Sequence, residues 1–379
     1  MKVKLSPKHL TQLSHSWILW FEASNQYIVV PDALKTLMDS YLAAANEDDF
    51  EERTNGLLDL SQHDTASYYN QLRDVLVSAN TPVENDLLEK SKIPTVEKTN
   101  LKEVYDFGDR SIAVNFGSHY IQNLIHPQWA HATMLSAQLP STTFDVFNKD
   151  PHLYLFKDKQ YIGHYLTTDH HLLQGQFALQ IVNTLYDKEE SDWIATFHAS
   201  TVCNNKEAIM IIGDSGKGKS TLSAVLMANG FDVLADDFTP LSAKNQELYR
   251  FPSGISVKQG SFKTLETLFS NFEQFPIYQS TSKQVKIKYI PPIINFGQAA
   301  SHFPCKKIVL VNYDAQATSE MKTIGIEKVM ETLIPDSWLS PLASNAQGFL
   351  DWLKGVSCYE LIYADNATAV SEFKKLFNS

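Results

Sequence analysis

Cysteine is scarce in this 379-residue chain, with three in all at Cys203, Cys305 and Cys358. They are scattered and form no C-x-x-C pair, which excludes a disulfide framework and zinc-ligand spacing. Buried free thiols in a reducing compartment are the expectation. A basic excess is missing too. The net charge of −11 argues against a polyanionic partner such as nucleic acid, which needs a basic surface to displace counterions. No apolar stretch approaches the ~20 residues that span a bilayer. The start, MKVKLSPKHLTQLSHSWILWF, holds only a short apolar patch, too small for a signal-peptide core. The expectation is a cytoplasmic protein with no membrane partner; self-association stays open.

Glycine is sparse as well, fifteen in total, yet Gly213, Gly216 and Gly218 fall in one loop. That loop reads GDSGKGKS and satisfies G-x-x-x-x-G-K-[ST] over Gly213–Ser220. Such a loop must turn its backbone N–H groups onto phosphate oxygens, and glycine permits the positive φ and the close approach. The apolar EAIMII before it predicts a buried strand, and KSTLSAVLMAN after it an amphipathic helix with Leu222, Val225 and Leu226 on one face. In this setting Asp214, Ser215, Lys217 and Thr221 line the phosphates. Lys219 reaches the β/γ oxygens, the Ser220 hydroxyl holds Mg²⁺, and the helix adds its N-terminal dipole. Lys217 either adds charge at the γ-phosphate or is a surface lysine.

A second feature is FDVLADDF, an apolar strand ending in Asp236-Asp237. Neighbouring residues on a strand face opposite ways, but at its end both carboxylates can turn to one metal-phosphate. A turn cap is the plain alternative. The third is His198 in WIATFHASTV, a catalytic candidate beside the loop strand or a core histidine. The adjacent pair His170-His171 does not share a helix face and makes a poor metal clamp.

Around these features the chain divides into three parts. Residues 1–80 read as a small helical unit: PDALKTLMDSYL and TASYYNQLRDVLVS carry apolar faces at helical spacing, with NQYIVV as a short strand. Residues 81–100 are polar and proline-containing, which suits an exposed linker and a front unit that moves independently. Residues 101–379 begin β-rich, with SIAVNF alternating and LYLFKDKQYIGHY turning as a hairpin at Asp158-Lys159. They continue as alternating strands and helices, among them HLLQGQFALQIVNTLY with Leu173, Phe177, Ile181 and Leu185 four apart. Repeats and low-complexity tracts are absent.

Taken in order, FHASTV, GDSGKGKS and LADD resemble the HPr serine kinase C-terminal domain, well over residues ~190–245 and more loosely to the C-terminus. The resemblance implies an α/β phosphoenolpyruvate carboxykinase-like/HPr kinase-like P-loop core on a mixed sheet, using ATP and Mg²⁺. It further implies that Ser220 and Asp237 hold the metal while Asp236, with His198 nearby, faces the acceptor hydroxyl as the base. The front unit is similar to PqqD-like, winged-helix-like domains that grip peptides. Where the family carries Glu-x-Arg-Gly-x-Gly, this chain has LYRFPSGISVKQG, so HPr as acceptor and reverse phosphorolysis are not carried over.

Three functions follow. The first is a kinase moving the γ-phosphoryl group of ATP to a hydroxyl of a peptide, protein or small molecule. A cation must then cover the transferring charge, and Lys258, Lys286 and Lys288 are the candidates. The second is a carboxykinase acting on oxaloacetate, for which arginine is sparse. The third is a non-catalytic, nucleotide-dependent peptide-binding module, which has no need of both aspartates.

The loop makes one prediction on its own. Mg·ATP should raise the melting temperature of the wild type, with ~2.7 kcal/mol gained at a hundredfold excess over Kd. Lys219→Ala should show almost no shift in a thermal melt, and equal shifts in the two proteins would place the nucleotide elsewhere.

Overall fold

The run WILWF, Trp17 to Phe21, is apolar at every position because both of its faces are covered. In the computed structural model, which describes residues 2–55, 62–82, 93–96, 99–134, 139–279 and 285–379, it forms the middle strand of an antiparallel sheet. That sheet comprises β1 (His9–Leu13), β2 (Ser16–Phe21) and β3 (Gln26–Pro31). Helices α1 (Asp32–Ala43), α2 (Glu47–Thr54) and α3 (Gln62–Ala79) follow. Leu19, Phe21 and Val30 face these helices and pack with Leu37, Tyr41, Phe50 and Leu76. The front unit is therefore half sheet, and the expectation of a helical unit with one strand is corrected. The acidic α2 was not anticipated; its Asn46 side chain accepts the Asp49 N–H as an N-cap.

The other face of this sheet meets the rest of the chain. Ile18 joins the largest core cluster, with Leu13, Tyr27 and Val29 packed against it. Tyr27 and Phe349 meet edge to face at 5.3 Å, and Asn25 Nδ2 donates to the Leu339 carbonyl at 2.9 Å. A front unit that moves independently does not fit these contacts. Much of the expected linker, residues 83–92 and 97–98, lies outside the described residues.

The β-rich stretch builds β4 (Leu101–Asp106), β5 (Ser111–Phe116), α4 (His119–Ile125), β6 (Thr142–Lys149), β7 (His152–Lys157) and β8 (Gln160–Leu166). The strands pair in sequence order, parallel only between β5 and β6. Asp158 and Lys159 take φ of 48° and 68° at the expected hairpin turn, the two left-handed residues that a tight hairpin needs. Helix α5 (His170–Tyr186) buries Leu173, Phe177, Ile181 and Leu185 in the same core as this sheet, as their spacing predicts.

The remaining elements are β9 (Trp193–Phe197), β10 (Ser200–Cys203), β11 (Ala208–Ile212), α6 (Lys219–Ala228), β12 (Asp232–Ala235), β13 (Thr239–Ser242) and β14 (Glu247–Tyr249). After them come β15 (Ile255–Lys258), α7 (Phe262–Glu266), β16 (Tyr278–Gln279), β17 (Lys286–Ile290), β18 (His302–Tyr313), β19 (Glu320–Thr323) and α8 (Ile326–Leu333). The chain closes with β20 (Trp338–Leu339), α9 (Ala343–Lys354), β21 (Ser357–Tyr363) and α10 (Asn366–Asn378). Ten of these strands share one mixed sheet, in which β11 and β21 run parallel to the long β18, while β10 and β14 run antiparallel to their neighbours. Strands β15, β17 and β16 form a small separate sheet. The protein is thus mixed α/β. Among the described residues no helix is long and apolar enough to cross a membrane.

The docked front sheet is testable. Tyr27→Ala should lower the stability of the whole chain by about 2–4 kcal/mol, the usual cost of deleting a large packed aromatic, in a single unfolding transition. Two separate transitions with an unchanged core would show the front unit to be energetically independent.

Candidate active site

The site lies where a long β-ribbon breaks. Strand β9 pairs with β13 and β10 with β12, both antiparallel. The two ladders keep one register, Phe197 opposite Thr239 on one side of the break and Thr201 opposite Ala235 on the other. Residues 198–200 and 236–238 therefore face each other across the interruption. The break is braced from within: Thr239 Oγ1 donates to the Ala199 carbonyl at 2.9 Å and lies 3.1 Å from Thr201 Oγ1. Asp237 takes a left-handed φ of 59°, a conformation that costs a β-branched residue more than an aspartate. It turns two adjacent carboxylates toward one region, which a regular strand would send to opposite faces.

The glycine loop arrives beside this break because β11 pairs with β10, Ile211 opposite Ser200. Gly216 and Gly218 have φ of 89° and 99°. A Cβ on Gly218 would sit 2.9 Å from the Tyr363 hydroxyl oxygen and one on Gly213 2.7 Å from the Val311 carbonyl oxygen, so neither position admits a side chain. Helix α6 starts at Lys219 with no side-chain cap, leaving the first N–H groups of its opening turn free for an anion. Lys219 is buried and its Nζ donates to the Gly213 carbonyl at 2.5 Å. Asp214, Ser215 and Lys217 are exposed on the loop, and Ser220 and Thr221 are half-buried behind it.

Asp236 is buried, 3% exposed. Its Oδ1 accepts from the Ser200 hydroxyl at 2.5 Å and its Oδ2 from the Ser256 N–H at 3.0 Å. Burial, and then the neighbouring Asp237, push its carboxyl up to about 7, while the hydroxyls of Ser200 and Ser220 and the Ser256 N–H pull the other way. Asp237 is more open. Its Oδ2 accepts from the Ser256 hydroxyl at 3.1 Å and its Oδ1 lies 3.8 Å from His198 Nε2. The histidine expected beside Asp236 is thus beside Asp237, and the loop serine expected beside Asp237 is beside Asp236. Register is the cause: Ser200 and Asp236 are the first residues past the β10–β12 ladder on the loop side.

Of the three candidate lysines, only Lys258 comes to the loop, with Nζ 3.3 Å from Ser215 Oγ. Ser256 and Lys258 alternate on one face of β15, so one strand touches both the aspartates and the phosphate loop. Lys288 is buried and donates to the Phe272 carbonyl at 2.7 Å, and Lys286 is exposed on β17. Beyond the aspartates opens a cleft of about 810 Å³, lined by His198, Asp236, Asp237, Ser256 and Tyr289 together with residues of α5 and residues 335–338. His171 lines it too. Ser200 and Ser256 are site residues that the sequence reading missed. Ser200 stands two residues after His198, and Ser256 stands two residues before Lys258.

Hard oxygen donors suit Mg²⁺, which takes one or two carboxylates together with phosphate oxygens. The Ser220 hydroxyl beside a buried carboxyl that resists ionising without a cation fits that ion, and the uncapped helix and glycine cradle fit a nucleotide phosphate. No group of three or more His, Cys, Asp or Glu suited to a metal occurs among the described residues, so phosphate oxygens would complete the set.

No protein-family model matches the chain, and no curated protein matches it. Among solved structures, the HPr(Ser) kinase/phosphatase from Coxiella burnetii aligns with 48% of this chain and 88% of its own, at 12% identity and a TM-score of 0.25.

Asp236 also makes stability depend on pH. Its folded value lies above the ordinary carboxyl value, so the folded chain binds this proton more tightly than the unfolded one. The stabilisation is full below about pH 4 and is lost as pH rises through about 7. In chelator at pH 8, Asp236→Asn should therefore be more stable than the wild type by up to about 4 kcal/mol, and the gap should shrink as pH falls through about 7 and close only below about pH 4 in urea titrations. A gap that is constant with pH would place the proton elsewhere.

Proposed function

We propose that the protein is an ATP-dependent kinase that moves the γ-phosphoryl group to a hydroxyl acceptor. The observation that carries this reading is one broken ribbon with a phosphate-type loop on one side and a His–Asp pair opening into a cleft on the other. Lys219 and the first N–H groups of α6 hold the β- and γ-phosphates. Ser220 and Asp236 hold Mg²⁺, which when bound neutralises phosphate charge. Asp237, oriented by Ser256 and His198, takes the proton as the acceptor oxygen bonds to the γ-phosphorus. The bond from that phosphorus to the bridging oxygen of ADP breaks, and ADP leaves. Lys258 covers charge at the loop during transfer. In this proposal residues 101–379 form an HPr kinase-like core working in the cytoplasm, and residues 1–80 a PqqD-like unit that presents a peptide. A carboxykinase would need arginines on its substrate's carboxylates, and none lines the cleft among the described residues.

The roles of the two aspartates separate in an Mg²⁺ titration. Asp236→Asn should need more Mg²⁺ and lose nucleotide binding and transfer together. Asp237→Asn should bind Mg·ATP nearly normally and lose ~10²–10⁴-fold in transfer, the range for a general base. His198→Ala should show a weaker form of the Asp237→Asn defect. If the Mg²⁺ defect appears in Asp237→Asn instead, the roles are reversed; if no variant loses transfer of radiolabelled phosphate, the kinase reading fails.

A further inference from the structure

The kinase reading sets the direction of transfer, and the walls of the cleft restrict what can enter it. We infer that the acceptor hydroxyl belongs to a molecule with a positive charge close by: an amino alcohol, or a serine or threonine beside basic residues in a peptide. The cleft is lined by three carboxylates, Asp236, Asp237 and Asp336, and among the described residues by no lysine or arginine. The first two are engaged with Ser200, Ser256 and His198. Asp336 is different. It lies between α8 and β20, one residue before Ser337, whose hydroxyl accepts the His198 N–H at 3.4 Å, and it is exposed. Its carboxylate makes no ion pair or hydrogen bond among the described residues, so an incoming cation would be its first partner.

The fixed cations near the reaction do not line the cleft. Lys219 is bound to Gly213 and Lys258 reaches Ser215, both on the phosphate loop. A carboxylate or phosphate on the acceptor would thus meet aspartates with no lysine or arginine in the cleft lining to offset it, and like charges so placed repel. A cation meets Asp336 together with the faces of aromatic walls, including Tyr165, Phe238 and Trp338, which attract cations through their ring quadrupoles. At about 810 Å³ the cleft lies in the range of sites that enclose a small molecule or a short peptide segment.

The test uses the full chain saturated with Mg²⁺ and a non-hydrolysable ATP analogue. Two charge-matched sets of acceptors are titrated by calorimetry: ethanolamine, ethylene glycol and glycolate, and the end-capped peptides Lys-Ser-Lys, Ala-Ser-Ala and Glu-Ser-Glu. In whichever set binds, the cationic member should bind at least ~10-fold tighter than the neutral one, and the anionic member weakest. The set that binds distinguishes a small molecule from a peptide. Asp336→Asn should bring the cationic and neutral members within about twofold of each other, and Asp336→Glu should restore the order. An anionic member that binds as well as the others, a preference that survives Asp336→Asn, or no binding by any of the six would each overturn the inference. The kinase reading is judged apart from it, by the wild type's Mg·ATP melting shift and slow hydrolysis of γ-labelled ATP.

Discussion

Everything at the site depends on keeping the Asp236 carboxyl buried beside a second carboxyl. A buried acid beside a second carboxyl resists ionising without help, because burial and the neighbouring charge both raise its affinity for a proton. The structure provides the help unevenly. Asp236 receives the Ser200 hydroxyl and the Ser256 N–H, yet its carboxyl still rises to about 7. Asp237 keeps access to solvent and to His198. Under the proposed kinase reading, the residual demand for positive charge at Asp236 would be met by a divalent cation, next to the hydroxyl that the glycine loop supplies.

That uneven pair exists only because the ribbon is broken. Had the ladder run on unbroken, Asp236 and Asp237 would have pointed to opposite faces, and one would have been lost to the site. The break costs three rungs of backbone pairing, offset in part by the Thr239 and Thr201 hydroxyls. The same break turns His198 out of β9 and lets β13 leave toward β9 while β12 stays with β10. Sheet continuity on both sides holds the geometry of the gap, so the reactive groups sit at an irregular point between rigid elements.

The parts of this arrangement that were legible in the sequence are the local ones. The glycine loop, its strand and its helix follow from spacing within some twenty residues, and the helix α5 follows from four apolar positions on one face. The surroundings of the two aspartates were not legible, since they depend on which residue of β10 stands opposite β12, a register across more than thirty residues. The expectation placed His198 near Asp236 for that reason, and the structure has its ring beside Asp237. The front sheet was missed for another. Alternation marks a strand with one wet face, and β2 has none, because its odd positions pack on the front helices and Ile18 packs on the main core.

Two lysines of the small sheet show why composition alone could not choose the cation. Lys258 and Lys288 stand on neighbouring strands, β15 and β17, one residue out of register with each other, since Lys288 is paired with Val257. That single step sends their side chains to opposite faces. Lys288 is driven into the core, where its ammonium is held by the Phe272 carbonyl and lies 4.7 Å from the centre of the Phe272 ring. Its charge is consumed in tying α7's surroundings to the sheet. Lys258 shares its face with Ser256, and that face looks at the aspartates and the loop. A strand laid across both halves of the site places a neutral donor at the carboxylates and a charged one at the glycine loop, about 6–7 Å apart by strand geometry.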